Sequence, residues 1–151
     1  MRFMIITTSR KPSRKTRSFA KALSRFIGWK YIQRGKLSLK DFKMEKFCII
    51  SEIKGNPAVL SFFFNGVKTL EIRFTISNIK KIEMNDSAVL YIGEKYNFFS
   101  AIPKKLLEKF DKRPYFDKVI VENGDELLFY FKRQLVFKIR ILKVKQIQQN
   151  P

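Results

Sequence analysis

Cations and hydroxyls crowd into one short stretch, Thr7-Thr8-Ser9-Arg10-Lys11-Pro12-Ser13-Arg14-Lys15-Thr16-Arg17-Ser18-Phe19, with no acid among them. These residue types suit phosphate binding. Arg10, Lys11, Arg14, Lys15 and Arg17 supply cations, Thr8, Ser9 and Ser13 supply hydroxyl donors, and the helix start behind them supplies backbone N–H groups. Nothing in the set reads a base edge, so the chemistry expected is salt-sensitive polyanion binding with recognition mainly by shape.

The same bias extends through the first forty residues, which hold twelve Lys and Arg and no Asp or Glu, out of 32 basic and 13 acidic residues in the whole chain. Of the formal net charge of +19, +12 therefore lies in this segment and +7 in residues 41–151. Such charge opposes compact folding through self-repulsion and points to a polyanionic partner, with nucleic acid first and an anionic membrane surface second. A basic, hydroxyl-rich, acid-free start is also the pattern of a mitochondrial transit peptide, but the strand-like opening run argues against it. No apolar run approaches the roughly 18 residues of a membrane span, and Phe3-Met4-Ile5-Ile6 is too short for the apolar region of a signal peptide.

Several chemistries are excluded. The chain has no histidine, which removes Ser-His-Asp and Cys-His nucleophiles and His-ligated metals. It also lacks Gly-x-x-x-x-Gly-Lys and Gly-x-Gly-x-x-Gly loops, and Asp41 and Glu45 read as the solvent face of a helix. Cys48, the one cysteine, lies in an apolar run and is expected to be a reduced core residue. A hydrophobic content of 45% with 16 phenylalanines is that of a folded domain.

The elements that would position the basic stretch follow from periodicity. Phe3–Thr7 reads as a strand broken by Pro12. Phe19, Ala22, Leu23, Phe26 and Ile27 then form the buried face of a helix that Ser13 or Thr16 can cap and Gly28 can end. Arg17, Lys21 and Arg25, four apart, form a basic ridge along it. A short strand over Lys30–Gln33, a basic turn at Arg34-Gly35-Lys36, a helix over Ser38–Glu45 and a buried strand over Phe47–Ile53 follow. Trp29 and Tyr31 are either core residues of the short strand or exposed platforms for stacking. This strand–helix alternation predicts parallel pairing with covering helices.

Farther on, Ala58–Phe64 and Lys68–Ile79 are strands joined by an Asn65-Gly66 hairpin, the second with Leu70, Ile72, Phe74 and Ile76 inward. After Asn85-Asp86-Ser87 the plan restarts. A strand over Ala88–Ile92 precedes a helix over Ile102–Phe110 with Leu106, Leu107 and Phe110 inward, then a strand over Tyr115–Val121, an Asn123-Gly124 turn and its return over Leu127–Phe131. Leu135–Ile147 closes the chain, with a bulge expected at Ile141-Leu142 and an exposed basic set at Lys138, Arg140, Lys143 and Lys145. The recurrence suggests two halves on one plan, about 1–84 and 85–151, in a single domain.

Three segments, Thr7-Thr8-Ser9-Arg10-Lys11-Pro12-Ser13, Thr16-Arg17-Ser18-Phe19-Ala20-Lys21 with Leu23, and Tyr31-Ile32-Gln33-Arg34-Gly35-Lys36, resemble the N-terminal signature of Brix-domain ribosome biogenesis proteins, most closely the short archaeal form. Lys54-Gly55-Asn56-Pro57 is similar to a strand end of the archaeal members. The likeness departs where many members carry Gly-Pro-Thr, since this chain has Asn65-Gly66-Val67-Lys68-Thr69 there. The resemblance implies an α/β fold of two tandem, structurally similar halves. Each would be a mixed sheet with covering helices, like the anticodon-binding domain of class II aminoacyl-tRNA synthetases.

The resemblance also implies a non-catalytic, cofactor-free, cytoplasmic RNA-binding protein of ribosomal RNA maturation. Its partners would be ribosomal RNA or pre-rRNA and other ribosome assembly proteins, with no membrane and no small-molecule substrate. The expected RNA-binding residues are Thr8, Ser9, Arg10, Lys11, Ser13, Arg14, Lys15, Arg17, Lys21, Arg25, Arg34 and Lys36. The alternative is a protein-interaction scaffold in a ribonucleoprotein particle without direct RNA contact.

Overall fold

Two-residue turns with positive φ punctuate the chain and fix its hairpins: Lys54-Gly55 (52° and 77°), Asn65-Gly66 (50° and 79°) and Lys132-Arg133 (47° and 67°). The first two place glycine second, where the left-handed region costs it least. The third has neither Gly nor Asn and carries no turn signal in the sequence. The computed structural model describes residues 4–42, 46–77, 79–109 and 115–147, which fall into two compact units. The first comprises Met1–Ser24, Trp29–Thr75 and Ile141–Pro151, and the second Arg25–Gly28 and Ile76–Arg140.

In the first unit β1 (Ile5–Thr8), β2 (Lys30–Tyr31) and β3 (Phe47–Ile53) run parallel, with Ile5 opposite both Lys30 and Phe47. β3 then pairs antiparallel with β4 (Asn56–Phe64), which pairs antiparallel with β5 (Val67–Ser77). The strand order is β2-β1-β3-β4-β5, with the C-terminal part of β10 (Gln134–Gln146) beside β5. Between β1 and β2 runs α1 (Arg14–Ile27), ended by Gly28 at φ 79°. Phe19, Ala20 and Leu23 of α1 are fully buried, and Phe19 meets Phe74 with ring centroids 5.5 Å apart. Register aligns Ile50, Leu60 and Ile72 on the face that carries Phe74. The opposite face holds Ile5, Phe42, Phe47 and Ile49, with Phe47 stacked on Phe63 at 4.8 Å. β3 is thus buried on both faces, which explains the unbroken apolar run Phe47-Cys48-Ile49-Ile50.

One expected helix contracts. Over Ser38–Glu45 the described residues form a 3-10 turn, Leu39–Phe42, and residues 43–45 lie outside them. Asp41 accounts for the tight turn, because its N–H bonds the Ser38 carbonyl at 3.1 Å while its carboxylate accepts the Ser38 N–H at 2.7 Å.

The second unit has β6 (Val89–Ile92), β7 (Ile102–Pro103), β8 (Lys118–Asn123), β9 (Glu126–Phe131) and the N-terminal part of β10, in the order β7-β6-β8-β9-β10. β6 is parallel to β7 and β8, and the remaining pairs are antiparallel. Its core gathers Phe129, stacked on Phe137 at 4.3 Å, with Phe26 edge-on to Phe129 at 5.1 Å.

The helix expected over Ile102–Phe110 is reduced to α2 (Lys104–Leu107), since Ile102 and Pro103 pair with Leu90 and Tyr91 as strand. Leu107 is buried, but Leu106 is 54% exposed and not inward; Phe110 lies outside the described residues. The turn after β8 is Gly124-Asp125, because Asn123 still pairs with Glu126. The β10 bulge falls at Leu135/Phe137, where Val136 and Phe137 are both buried, whereas Ile141 and Leu142 keep alternation with one buried and the other 60% exposed.

Candidate nucleic-acid interface

The loop from β1 to α1 is held by a carboxylate that is distant in sequence. Ser13 caps α1, accepting the Thr16 N–H at its Oγ (3.2 Å) and the Arg17 N–H at its carbonyl (3.1 Å). A capping box would need Glu or Gln three residues after the cap, and Thr16 stands there. Glu52 of β3 takes that part across the fold, with Oε2 accepting the Ser13 N–H at 3.0 Å and the Thr16 hydroxyl at 2.6 Å. Hydrogen bonds from Ser13 and Thr16 hold the Glu52 carboxyl below its ordinary value, burial opposing them only in part. The hairpin beyond Glu52 completes the clasp: Ser13 Oγ lies 2.8 Å from the Gly55 carbonyl, and Lys15 Nζ donates to Asn56 Oδ1 at 2.9 Å.

This clasp changes the expected chemistry of the helix start. Glu52 already occupies the favourable anion position there, and the Ser13 and Thr16 N–H groups are engaged. Positive charge at the surface there is carried by the exposed side-chain cations.

Arg10, Lys11, Arg14, Lys15, Arg17, Lys21, Arg25 and Lys36 are exposed. Arg25 belongs to the second compact unit, and Lys11 holds a φ of 53°. Ser9 and Ser13 are half-buried, and Thr8 is fully buried with its hydroxyl donating to the Ser9 carbonyl at 2.9 Å. Arg34 differs from the other cations in its burial. It is 7% exposed and donates from Nε to the Leu37 carbonyl (2.6 Å) and from a terminal nitrogen to the Thr8 carbonyl (3.2 Å), so it braces the end of β1. Burial and the neighbouring Arg10 weaken its hold on its proton.

Arg14, Arg17, Ser18 and Lys21, on one face of α1, line a cleft of about 220 Å³ with Tyr31 and Gln33. Lys21 Nζ sits 5.8 Å from the Tyr31 ring centroid. Trp29 is a core residue packed edge-on against Phe62 at 6.2 Å, whereas Tyr31 is half-buried at the cleft. Sequence reasoning missed Glu52, Gly55 and Asn56 as supports, although Glu52 is the one acid of the β3–β4 hairpin. Cys48 is fully buried, and burial drives its thiol pKa far up, so it stays protonated.

No cluster of three or more metal-ligating side chains occurs among the described residues, and no helix there is long and apolar enough to cross a membrane. The molecule is thus an α/β protein with mixed sheets, few helices and an acid-poor exposed segment on its first loop and helix. No protein-family model matches the chain. It is 49% identical over 148 residues to a probable Brix domain-containing ribosomal biogenesis protein of Archaeoglobus fulgidus, covering 94% of this chain and 97% of that one. A protein of the same description from Methanosarcina barkeri is 29% identical over 95% of this chain and 99% of its own length. The crystal structure of an archaeal Imp4-like protein superposes with a TM-score of 0.74 at 27% identity, covering 95% of this chain and 99% of that one. The chain belongs to the Brix domain-containing ribosomal biogenesis proteins.

Proposed function

We propose that the chain is a non-catalytic, cytoplasmic assembly factor that binds ribosomal RNA or pre-rRNA by its phosphates, together with other ribosome assembly proteins. The proposed contacts are Ser9, Arg10, Lys11, Arg14, Lys15, Arg17, Lys21 and Lys36 of the first unit and, by itself, Arg25 of the second, with Ser13, engaged in the clasp, and buried Thr8 and Arg34 shaping the loop from behind. One observation carries this reading. The ion pairs among the described residues, Lys68–Glu71, Lys95–Asp125 and Arg140–Glu126, all lie outside the first loop and helix, whose exposed cations pair with no carboxylate among those residues. Like charges gathered without counter-charge favour an incoming polyanion.

The fold reading accompanies it. We take residues 1–151 as one domain of two tandem halves, about 1–84 and 85–151, each like the anticodon-binding domain of class II aminoacyl-tRNA synthetases. The matching orders β2-β1-β3-β4-β5 and β7-β6-β8-β9-β10, with the same parallel and antiparallel senses, support it.

Measuring affinity for ribosomal RNA against salt tests the function. With six or more phosphates neutralised, affinity falls by roughly three orders of magnitude between 50 and 200 mM salt. A flat response removes the RNA reading and leaves a scaffold that meets assembly proteins alone. That second reading draws on an open, mainly apolar cleft of about 490 Å³ lined by Leu90, Tyr115, Phe116, Val119, Val121, Tyr130 and Arg133.

A further inference from the structure

Three cations surround the small cleft against β2, and a Coulomb cost attends them that an anion would relieve. Arg14, Arg17, Ser18 and Lys21 recur at i, i+3, i+4 and i+7, so a single face of α1 is turned to this cleft. Half-buried Tyr31 and exposed Gln33 complete its lining. A volume of about 220 Å³ is below the roughly 300–1,000 Å³ of small-molecule pockets, so the cleft holds part of a ligand that continues outside it, as a strand does.

We infer that this cleft is a one-nucleotide subsite for single-stranded RNA, with the phosphate among Arg14, Arg17 and Lys21, the base against the Tyr31 ring and the Gln33 amide at the base edge. The inference rests on the RNA reading above and adds base contact to a surface that otherwise meets only phosphates. Lys21 Nζ lies over the Tyr31 ring, 5.8 Å from its centroid, so a base reaches that face as the ammonium swings off it to the neighbouring phosphate. An aromatic face accepts any base, whereas an amide with both donor and acceptor discriminates between base edges. Ser18 adds a hydroxyl of the kind that recognises a ribose 2′-OH. The subsite therefore favours single strands over duplex, where bases are stacked away, and RNA over DNA.

The test uses the full chain and a labelled ten-nucleotide single-stranded RNA, with duplex RNA and the matching DNA strand as comparators. Tyr31→Leu is expected to weaken single-strand binding by about 5- to 150-fold, the loss of one stacked base, while leaving the slope of affinity against salt unchanged. Tyr31→Phe should bind as the parent does. Arg17→Gln should instead lower the salt slope by about 0.7, one phosphate contact on a single strand. Because Tyr31→Leu also touches packing, the ring protons of Tyr31, assigned by difference from Tyr31→Phe, are followed by NMR during titration of the parent and should move upfield. Unchanged binding by a folded Tyr31→Leu, or Tyr31 signals that stay in place at saturating RNA, overturns the subsite while steep salt dependence keeps the RNA reading. Absence of salt-sensitive RNA binding by the parent chain overturns both.

Discussion

A glutamate near the end of the third strand anchors the loop after the first strand in each compact unit, yet the two loops present opposite surfaces. Glu52 accepts the Ser13 N–H and the Thr16 hydroxyl. Glu122 accepts the Tyr91 hydroxyl at 2.6 Å and the N–H groups of Tyr96 (2.7 Å), Lys95 (3.0 Å) and Glu94 (3.3 Å). In the first unit the anchored loop opens into α1, whose exposed cations there form no ion pair among the described residues. In the second it remains a loop and neutralises itself. Asp125 pairs with Lys95 at 3.2 Å and accepts the Tyr96 hydroxyl at 2.6 Å, and the Asn97 side chain clamps Ala101 by two hydrogen bonds. The same anchor thus serves an exposed basic surface in one unit and a self-paired one in the other.

The largest effect expected from breaking this contrast is on RNA. Replacing Arg10, Lys11, Arg14 and Lys15 by glutamate should lower affinity for ribosomal RNA by roughly 10³-fold at low salt, with thermal unfolding little moved. Reversing Lys95, Lys104 and Lys105 in the second unit should change it only a few-fold. Equal losses in filter binding would erase the distinction between the two surfaces.

Next in size is Gly93→Ala. Gly93 has φ 150°, and a Cβ there would lie 2.5 Å from the Glu122 Cβ, so backbone strain and overlap together should cost about 3 kcal/mol. Denaturant unfolding measures the loss, and RNA affinity of the folded fraction should be unchanged. A variant as stable as the parent would show that the Glu122 anchor does not fix its loop.

Lys118→Met probes a difference at matched register. Phe47 pairs with the first residue of β1 and Lys118 with the first of β6, but Phe47 stacks in a core whereas fully buried Lys118 donates to the Arg25 carbonyl at 2.9 Å. Burial lowers the Lys118 pKa, and the bond satisfies a carbonyl in the last turn of α1. Loss of that bond should cost about 2 kcal/mol in denaturant unfolding. No loss would mean that water replaces the ammonium.

The smallest effect is acid dependence. For Glu122 burial raises the pKa, but the hydrogen bonds from Tyr91, Tyr96, Glu94 and Lys95 outweigh it; for Glu52 the bonds from Ser13 and Thr16 dominate. Both carboxyls therefore titrate lower folded than unfolded. Their stabilisation is complete at neutral pH and is lost as pH falls below the ordinary carboxylate range, about 4. Glu52→Gln should cost about 1 kcal/mol at pH 7, modest because the group is partly solvated, and less at pH 3. An equal cost at both pH values would deny the carboxylate its role.

What the residue order encodes by itself follows local rules. The β3 limits, the Asn65-Gly66 turn and the stop of α1 at Gly28 all follow from neighbours a few residues apart, where periodicity and turn chemistry act, while the cap was narrowed to Ser13 or Thr16 and proves to be Ser13. The expected helices over Ser38–Glu45 and Ile102–Phe110 overran, because apolar spacing does not register that Asp41 tightens one segment or that Leu90 and Tyr91 recruit Ile102 and Pro103 into a sheet. By itself the sequence determined that cations without acids gather on the first loop and helix, and its motif residues carried the family. The tertiary structure alone decided that Glu52 fills the helix start, that Arg34 is buried as a brace and that Tyr31 faces a basic cleft while Trp29 does not. The reason is physical: partners such as Glu52 and Ser13, 39 residues apart, meet only once parallel strands have paired, and no local spacing encodes that meeting.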